Sequence, residues 1–132
     1  VRSALEATIA RALKERQDMI VDGVHVLPTK LDLDRAHAEA VVVSVTLAVT
    51  TRQQLAKQLS WRSREQPDRA SSRYLQSLDA IWELQSFLLN LAEKEQIPII
   101  ANRTIGKTVR DVLLEVNRRI GERYPPDPGI LE

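Results

Sequence analysis

The chain has 132 residues, of which 43% are apolar and 28% charged. That is one-domain size, enough to bury a core, and it excludes a disordered or fibrous class. Lys and Arg total 19 against 18 Asp and Glu, so net charge makes no case for a nucleic-acid partner, and the absence of cysteine excludes disulfides, thiolate metal sites and cysteine nucleophiles.

A cysteine-free chain suits the cytoplasm. No apolar run reaches the roughly 20 residues of a membrane helix, and no secretory signal pattern is present. Val1 lies inside a helical pattern with no initiator Met, as in a truncated or processed chain.

In chain order, residues 3–16 place Leu5, Ile9 and Leu13 four apart, which predicts an amphipathic helix with Ser3 able to cap it. Residues 19–24 (MIVDGV) read as a short strand entering a sharp turn. A short helix is expected over 31–40. The run AVVVSVTLAV, 40–49, predicts a strand buried on both faces, as in a parallel sheet covered by helices. Thr50 or Thr51 can cap a helix to about Arg64, before a polar loop in which Pro67 stops it. Ser71 or Ser72 opens the longest helix, to about Glu95, with Leu75, Leu78, Ile81, Trp82, Leu88 and Leu89 in helical spacing. A third strand over 97–100 and a helix from Thr104 to Ile120, stopped at Gly121, complete residues 1–124; the proline-rich 125–132 is an irregular tail. Strands alternating with helices predict an α/β fold, helix-rich, with a parallel sheet of three short strands flanked by helices.

Three constellations could carry chemistry. Asp22 would end a buried strand, where open α/β sheets place their ligand crevice; a carboxylate there can serve Mg²⁺ or its waters, although Asp-Gly is also a common turn pair. His25 follows on the same edge and could meet a substrate carboxylate or phosphate, or be a loop histidine; His37 has no comparable setting. Arg62, Arg64, Arg69 and Arg73 surround the Pro67 loop. Guanidinium groups make paired contacts to phosphate oxygens and keep their charge when desolvated. A helix–loop–helix so equipped is either a lid over a transferring phosphoryl group or a solvated charged face. A nucleic-acid surface is the weaker reading, because only Trp61 and Tyr74 accompany these arginines. Finally, ANRTIGKT (101–108) matches the relaxed phosphate-loop pattern with Ala for the first Gly. Its residues 102–105 contain no glycine, which argues against amides turned inward around a phosphate.

Together, IVDGVHVLP (20–28), VVVSVTLAV (41–49) and RYLQSLDAIWELQSFLLNLAEKEQIPIIAN (73–102) resemble the C-terminal half of the 2-phosphoglycerate kinase family, a branch of the P-loop kinases. The resemblance implies a partial P-loop NTPase-type sheet, ATP and Mg²⁺ as cofactors, and phosphorylation of 2-phosphoglycerate to 2,3-bisphosphoglycerate. It places Asp22 at the second-carboxylate position near the metal, where the family often has Glu. It places Arg62, Arg64, Arg69 and Arg73 in the lid (62–73), and Asn102 near the nucleotide base. It also places the glycine-rich phosphate loop and the central first strand upstream of Val1. The expected partners are thus the small-molecule substrate and that N-terminal segment, and the chain alone is expected to be inactive. The alternatives are a non-catalytic binding or regulatory module that retains the fold, and a P-loop phosphotransferase with another substrate.

Overall fold

The computed structural model describes residues 1–65 and 77–131. It divides into two compact units, Val45–Leu113 and a second made of Val1–Ser44 with Leu114–Glu132.

In the unit that holds the N-terminus, helix α1 (Arg2–Glu15) half-buries Leu5, Ile9 and Leu13, the stripe read from the sequence, and packs on α2 (Asp34–Glu39). The helix begins one residue before Ser3, with Val1 at the N-cap, so Ser3 is not the cap. Arg16 ends it in the left-handed region at φ 54°, where the N–H of Gln17 reaches the Ala12 carbonyl at 2.9 Å. Glu6 accepts from the Asp32 backbone N–H at 3.0 Å and from Arg2 at 2.9 Å, tying the segment before α2 to α1. Both contacts hold its carboxyl below the usual glutamate range, the Asp32 amide most. At the other end of α2, Arg123 donates to the Ala38 carbonyl at 2.7 Å, satisfying one of the acceptors a helix end leaves open.

Residues 19–24, expected as a strand, form none. They run as irregular chain, with Ile20 97% exposed, into a turn closed by the Val26 N–H on the Gly23 carbonyl at 3.1 Å. A strand exists only where a neighbour supplies its ladder, and no such neighbour stands beside 19–24 among the described residues.

The other unit is built on two strands, β1 (Thr46–Ala48) and β2 (Ile99–Ala101), parallel and in register from Thr46–Ile99 to Ala48–Ala101. The described sheet therefore has two strands, not three. β1 is also much shorter than the apolar run that contains it. Its first bond is the Thr46 N–H on the Pro98 carbonyl, 2.9 Å; one step earlier the ladder would need an N–H from Pro98, which proline lacks. Nor is β1 buried on both faces, since Leu47 is 47% exposed.

Helix α3 (Arg52–Glu65) is capped by Thr51, whose hydroxyl accepts from the Gln54 N–H at 3.1 Å. Helix α4 (Leu78–Lys94) packs on both strands and on α3. The core sits between them: Val49, Leu55 and Leu59 are buried, and Leu78, Ile81 and Trp82 of α4 close over them. α4 stops where Gln96 turns left-handed at φ 55°, with the Ile97 N–H on the Ala92 carbonyl at 2.8 Å. The last helix, α5 (Ile105–Arg123), follows β2 after three residues. No helix among the described residues is long and apolar enough to cross a membrane.

Candidate functional site at the carboxyl ends of the strands

Parallel strands leave their C-terminal ends on one edge of the sheet, where two loops can converge on a ligand. Here those loops are Val49–Thr51 after β1 and Asn102–Thr104 after β2. The ladder itself joins them through the Asn102 N–H on the Ala48 carbonyl, 2.7 Å. A polar chain then crosses the same edge. The Thr50 hydroxyl meets Gln54 Oε1 at 3.2 Å, and Gln54 Nε2 donates to the Asn102 carbonyl at 2.8 Å. On the far side, Thr108 Oγ1 accepts from the Arg103 N–H at 3.0 Å and donates to Asn102 Oδ1 at 3.4 Å. Thr108 is 7% exposed, and it is the buried polar side chain of the described core. Asn102 is half-buried, with Thr50 and Arg103 exposed beside it.

These bonds also decide what ANRTIGKT does. A phosphate loop needs free backbone amides facing a concavity. The N–H of Asn102 is spent on β1 and that of Arg103 on Thr108, so the two residues that open the loop have no amide left to turn inward. The segment is a tight strand-to-helix connection.

Of the candidate site residues read from the sequence, Asn102 is the one that stands in this network. Asp22 and His25 lie three residues apart on one exposed loop of the other unit, Asp22 just before the turn that spans 23–26. Asp22 does not end a strand, which corrects the setting expected for it. Its neighbour Gly23 has φ 156°, a conformation that side chains rarely adopt. Arg62 and Arg64 lie in the last turns of α3. Arg69 and Arg73, with the Pro67 loop, lie outside the described residues.

Sequence reading missed Gln54, Gln85 and Thr108. Gln85 of α4 grips Val49 from both sides, its Oε1 accepting from the Val49 N–H at 2.8 Å and its Nε2 donating to the Val49 carbonyl at 3.0 Å. Nothing in the spacing of two glutamines and a threonine signals such contacts; they are made across 36, 48 and 6 residues of chain. Among the described residues no group of three or more His, Asp or Glu is arranged to hold a metal. Magnesium asks for less, being held by one or two carboxylates together with substrate phosphates, and the exposed Asp22 carboxylate has the chemistry for that role.

No protein-family model matches the chain, and no solved structure matches it. Among known proteins it is similar to archaeal 2-phosphoglycerate kinases. It is 28% identical to that of Pyrococcus furiosus over 124 residues, 92% of this chain and 39% of the relative. It is 30% identical to that of Methanopyrus kandleri over 122 residues, 90% of this chain and 37% of the relative. The protein from Methanocaldococcus jannaschii is 28% identical over 120 residues, covering 91% and 38%. The chain thus spans less than two-fifths of the length of these relatives while matching them along about nine-tenths of its own, the coverage that a C-terminal portion would give.

Proposed function

We propose, from this similarity to 2-phosphoglycerate kinases, that the chain is the C-terminal portion of an ATP-dependent phosphotransferase acting on 2-phosphoglycerate. The γ-phosphoryl group of ATP would pass to the C3 hydroxyl of the substrate. The bond to the β-phosphate oxygen breaks, the bond to the hydroxyl oxygen forms, and the hydroxyl proton leaves to a base or to water. Mg²⁺ would neutralise the phosphate oxygens during that transfer. Within this chain Asp22 would face the metal or its waters, and His25 the anionic substrate. Arg62, Arg64, Arg69 and Arg73 would spread positive charge over the transferring group. Asn102 would meet the nucleotide. The carrying observation is the match to these kinases along nine-tenths of the chain. The polar edge at Asn102 supports it, because it lies where α/β sheets of this kind receive ligands.

The chain taken alone would not transfer phosphate. Within its 132 residues the relaxed phosphate-loop match is the segment whose first two loop amides serve β1 and Thr108 and whose residues 102–105 hold no glycine, so the phosphate cradle would come from elsewhere.

The test is transfer of label from γ-³²P-ATP, with Mg²⁺, to 2-phosphoglycerate, run in parallel with 3-phosphoglycerate and glycerate, on this chain and on the longest natural protein that carries it. Label in 2,3-bisphosphoglycerate from the longer protein, and none from the chain alone, is the expected result. Transfer to another acceptor would move the reading to a different phosphotransferase, and no transfer at all would leave a binding module.

A further inference from the structure

The two units of the chain are of similar length, so size does not separate their stabilities. Burial does. In Val45–Leu113, the residues Val49, Leu55, Leu59, Ala92, Ile100 and Thr108 are buried, drawn from α3, α4, α5, β2 and the end of β1. In the unit that holds the N-terminus, Ala36 is the one buried residue among those described. Helix α1 has 14 residues and buries none of them, its Leu5, Ile9 and Leu13 being half-buried. A helix of about that length is marginal in water unless tertiary packing holds it.

The polar ties of this unit are exposed. They are the ion pairs Arg2–Glu6 and Arg11–Glu15 along α1, the Glu6 bond to the Asp32 N–H, and the Arg123 bond to the Ala38 carbonyl. Such contacts contribute little while water competes for both partners. Against them stands the conformational entropy lost in ordering the unit. The same unit turns apolar side chains to solvent, with Met19, Ile20, Val21 and Val24 all exposed.

We propose that this unit is completed by another part of the longer natural protein, which covers the 19–24 run, and that α1 and α2 hold a fixed arrangement only while that part is docked. The identity of the partner rests on the reading of the chain as a C-terminal portion; the inequality of the two units rests on burial. The related kinases share 37% to 39% of their length with this chain, which leaves more than half of each to supply the covering surface. The consequence is functional. Asp22 and His25 lie in this unit, in and beside the 19–24 run, so docking is what fixes them, whereas the edge at Asn102 is folded beforehand.

Hydrogen exchange on the 132-residue chain and on the longest natural protein that carries it tests this. In the chain alone, amides of α1 and α2 should exchange within about tenfold of an unfolded chain, while those of Leu59, Ala92 and Asn102 are protected at least about a thousandfold. In the longer protein the α1 amides should gain at least about a hundredfold. Ile20→Ser should leave exchange in the chain alone as it is, because Ile20 is already in water there. In the longer protein it should lower α1 protection by at least about tenfold, the weight of one buried aliphatic side chain, and Ile20→Val should restore most of it. An α1 protected as strongly as the core in the chain alone would overturn the inequality. Protection there that rises with protein concentration would assign the covering surface to a second copy and overturn the partner named. An Ile20→Ser without effect in the longer protein would remove the 19–24 run as the covered surface. A longer protein that protects α1 and transfers no phosphate would defeat the kinase reading and leave this inference standing. Phosphate transfer with α1 unprotected would do the reverse.

Discussion

The side-chain amide of Gln85 holds both backbone groups of Val49, at 2.8 Å to its N–H and 3.0 Å to its carbonyl, as the next strand of a sheet would. Thr46 and Ala48 turn their backbone groups toward β2, so those of Val49 face the opposite edge. Val49 is 8% exposed and belongs to the core, so its backbone groups have little access to water in the amide's place. Gln85→Ala should cost about 2 kcal/mol in denaturant unfolding, because it leaves a buried donor and acceptor unmade. Gln85→Glu should cost as much or more, since a carboxylate can still accept from the N–H but meets the carbonyl without a proton. A variant as stable as wild type would mean that Val49 finds other partners.

A second prediction concerns acid. Glu115 accepts from Arg118 at 2.6 Å and Arg119 at 3.1 Å, and its carboxyl is lowered to about 2, chiefly by the Arg118 bond. A carboxylate whose folded pKa lies below its unfolded one stabilises the fold at all pH values above the unfolded pKa. That contribution declines as pH falls from about 4.5 and is gone near 2. Glu115→Gln should therefore lower the melting temperature at pH 7 and leave it unchanged at pH 2. The loss should be at most about 1 kcal/mol, the range of pairs that remain partly in water. A difference from wild type that persists at pH 2 would assign the effect to packing instead.

Asp22→Asn tests the metal role proposed for that carboxylate. Turnover by the active protein should fall at least about tenfold, with KM for ATP changed far less, and a higher Mg²⁺ concentration should recover part of the rate. Wild-type turnover would return Asp22 to being the residue before a turn.

Arg69→Ala and Arg73→Ala should each slow transfer by about a hundredfold if they face charge that develops only in the transition state, with substrate KM little altered. Kinetics like those of wild type in both would make that loop a solvated face. Lysine at either position should restore only part of the rate, because it brings the charge without the planar fork of donors.

The helices of the described residues were legible because their signal is local, although their ends were not: the last helix runs through Gly121, read as its stop, to Arg123. Leu5, Ile9 and Leu13 on α1, and Leu78, Ile81 and Trp82 on α4, keep helical spacing whatever the rest of the chain does. Strands are decided by a neighbour, and there the reading ran long. The apolar run 40–49 gives three strand residues because Pro98 ends the ladder, and the run at 19–24 gives none. Asn102 was placed correctly after the last strand, yet the residues that hold it, Gln54 and Thr108, carry no mark in the sequence. A glutamine or threonine becomes structural only when folding brings a backbone group to it. Asp22 shows the converse, an Asp-Gly pair whose turn was readable and whose strand was not.

The bond from Gln54 to the Asn102 carbonyl has a mechanical side. Gln54 lies in the first turn of α3, and Arg62 and Arg64 lie in its last turns. Ten residues of helix, about 15 Å at the usual rise, separate Gln54 from Arg64. The helix that carries Arg62 and Arg64 is thus tied at its first turn to the loop that Asn102 occupies, and Leu55 and Leu59 hold it in the core against α4, so the direction in which its C-terminal end runs is set by the same edge of the sheet.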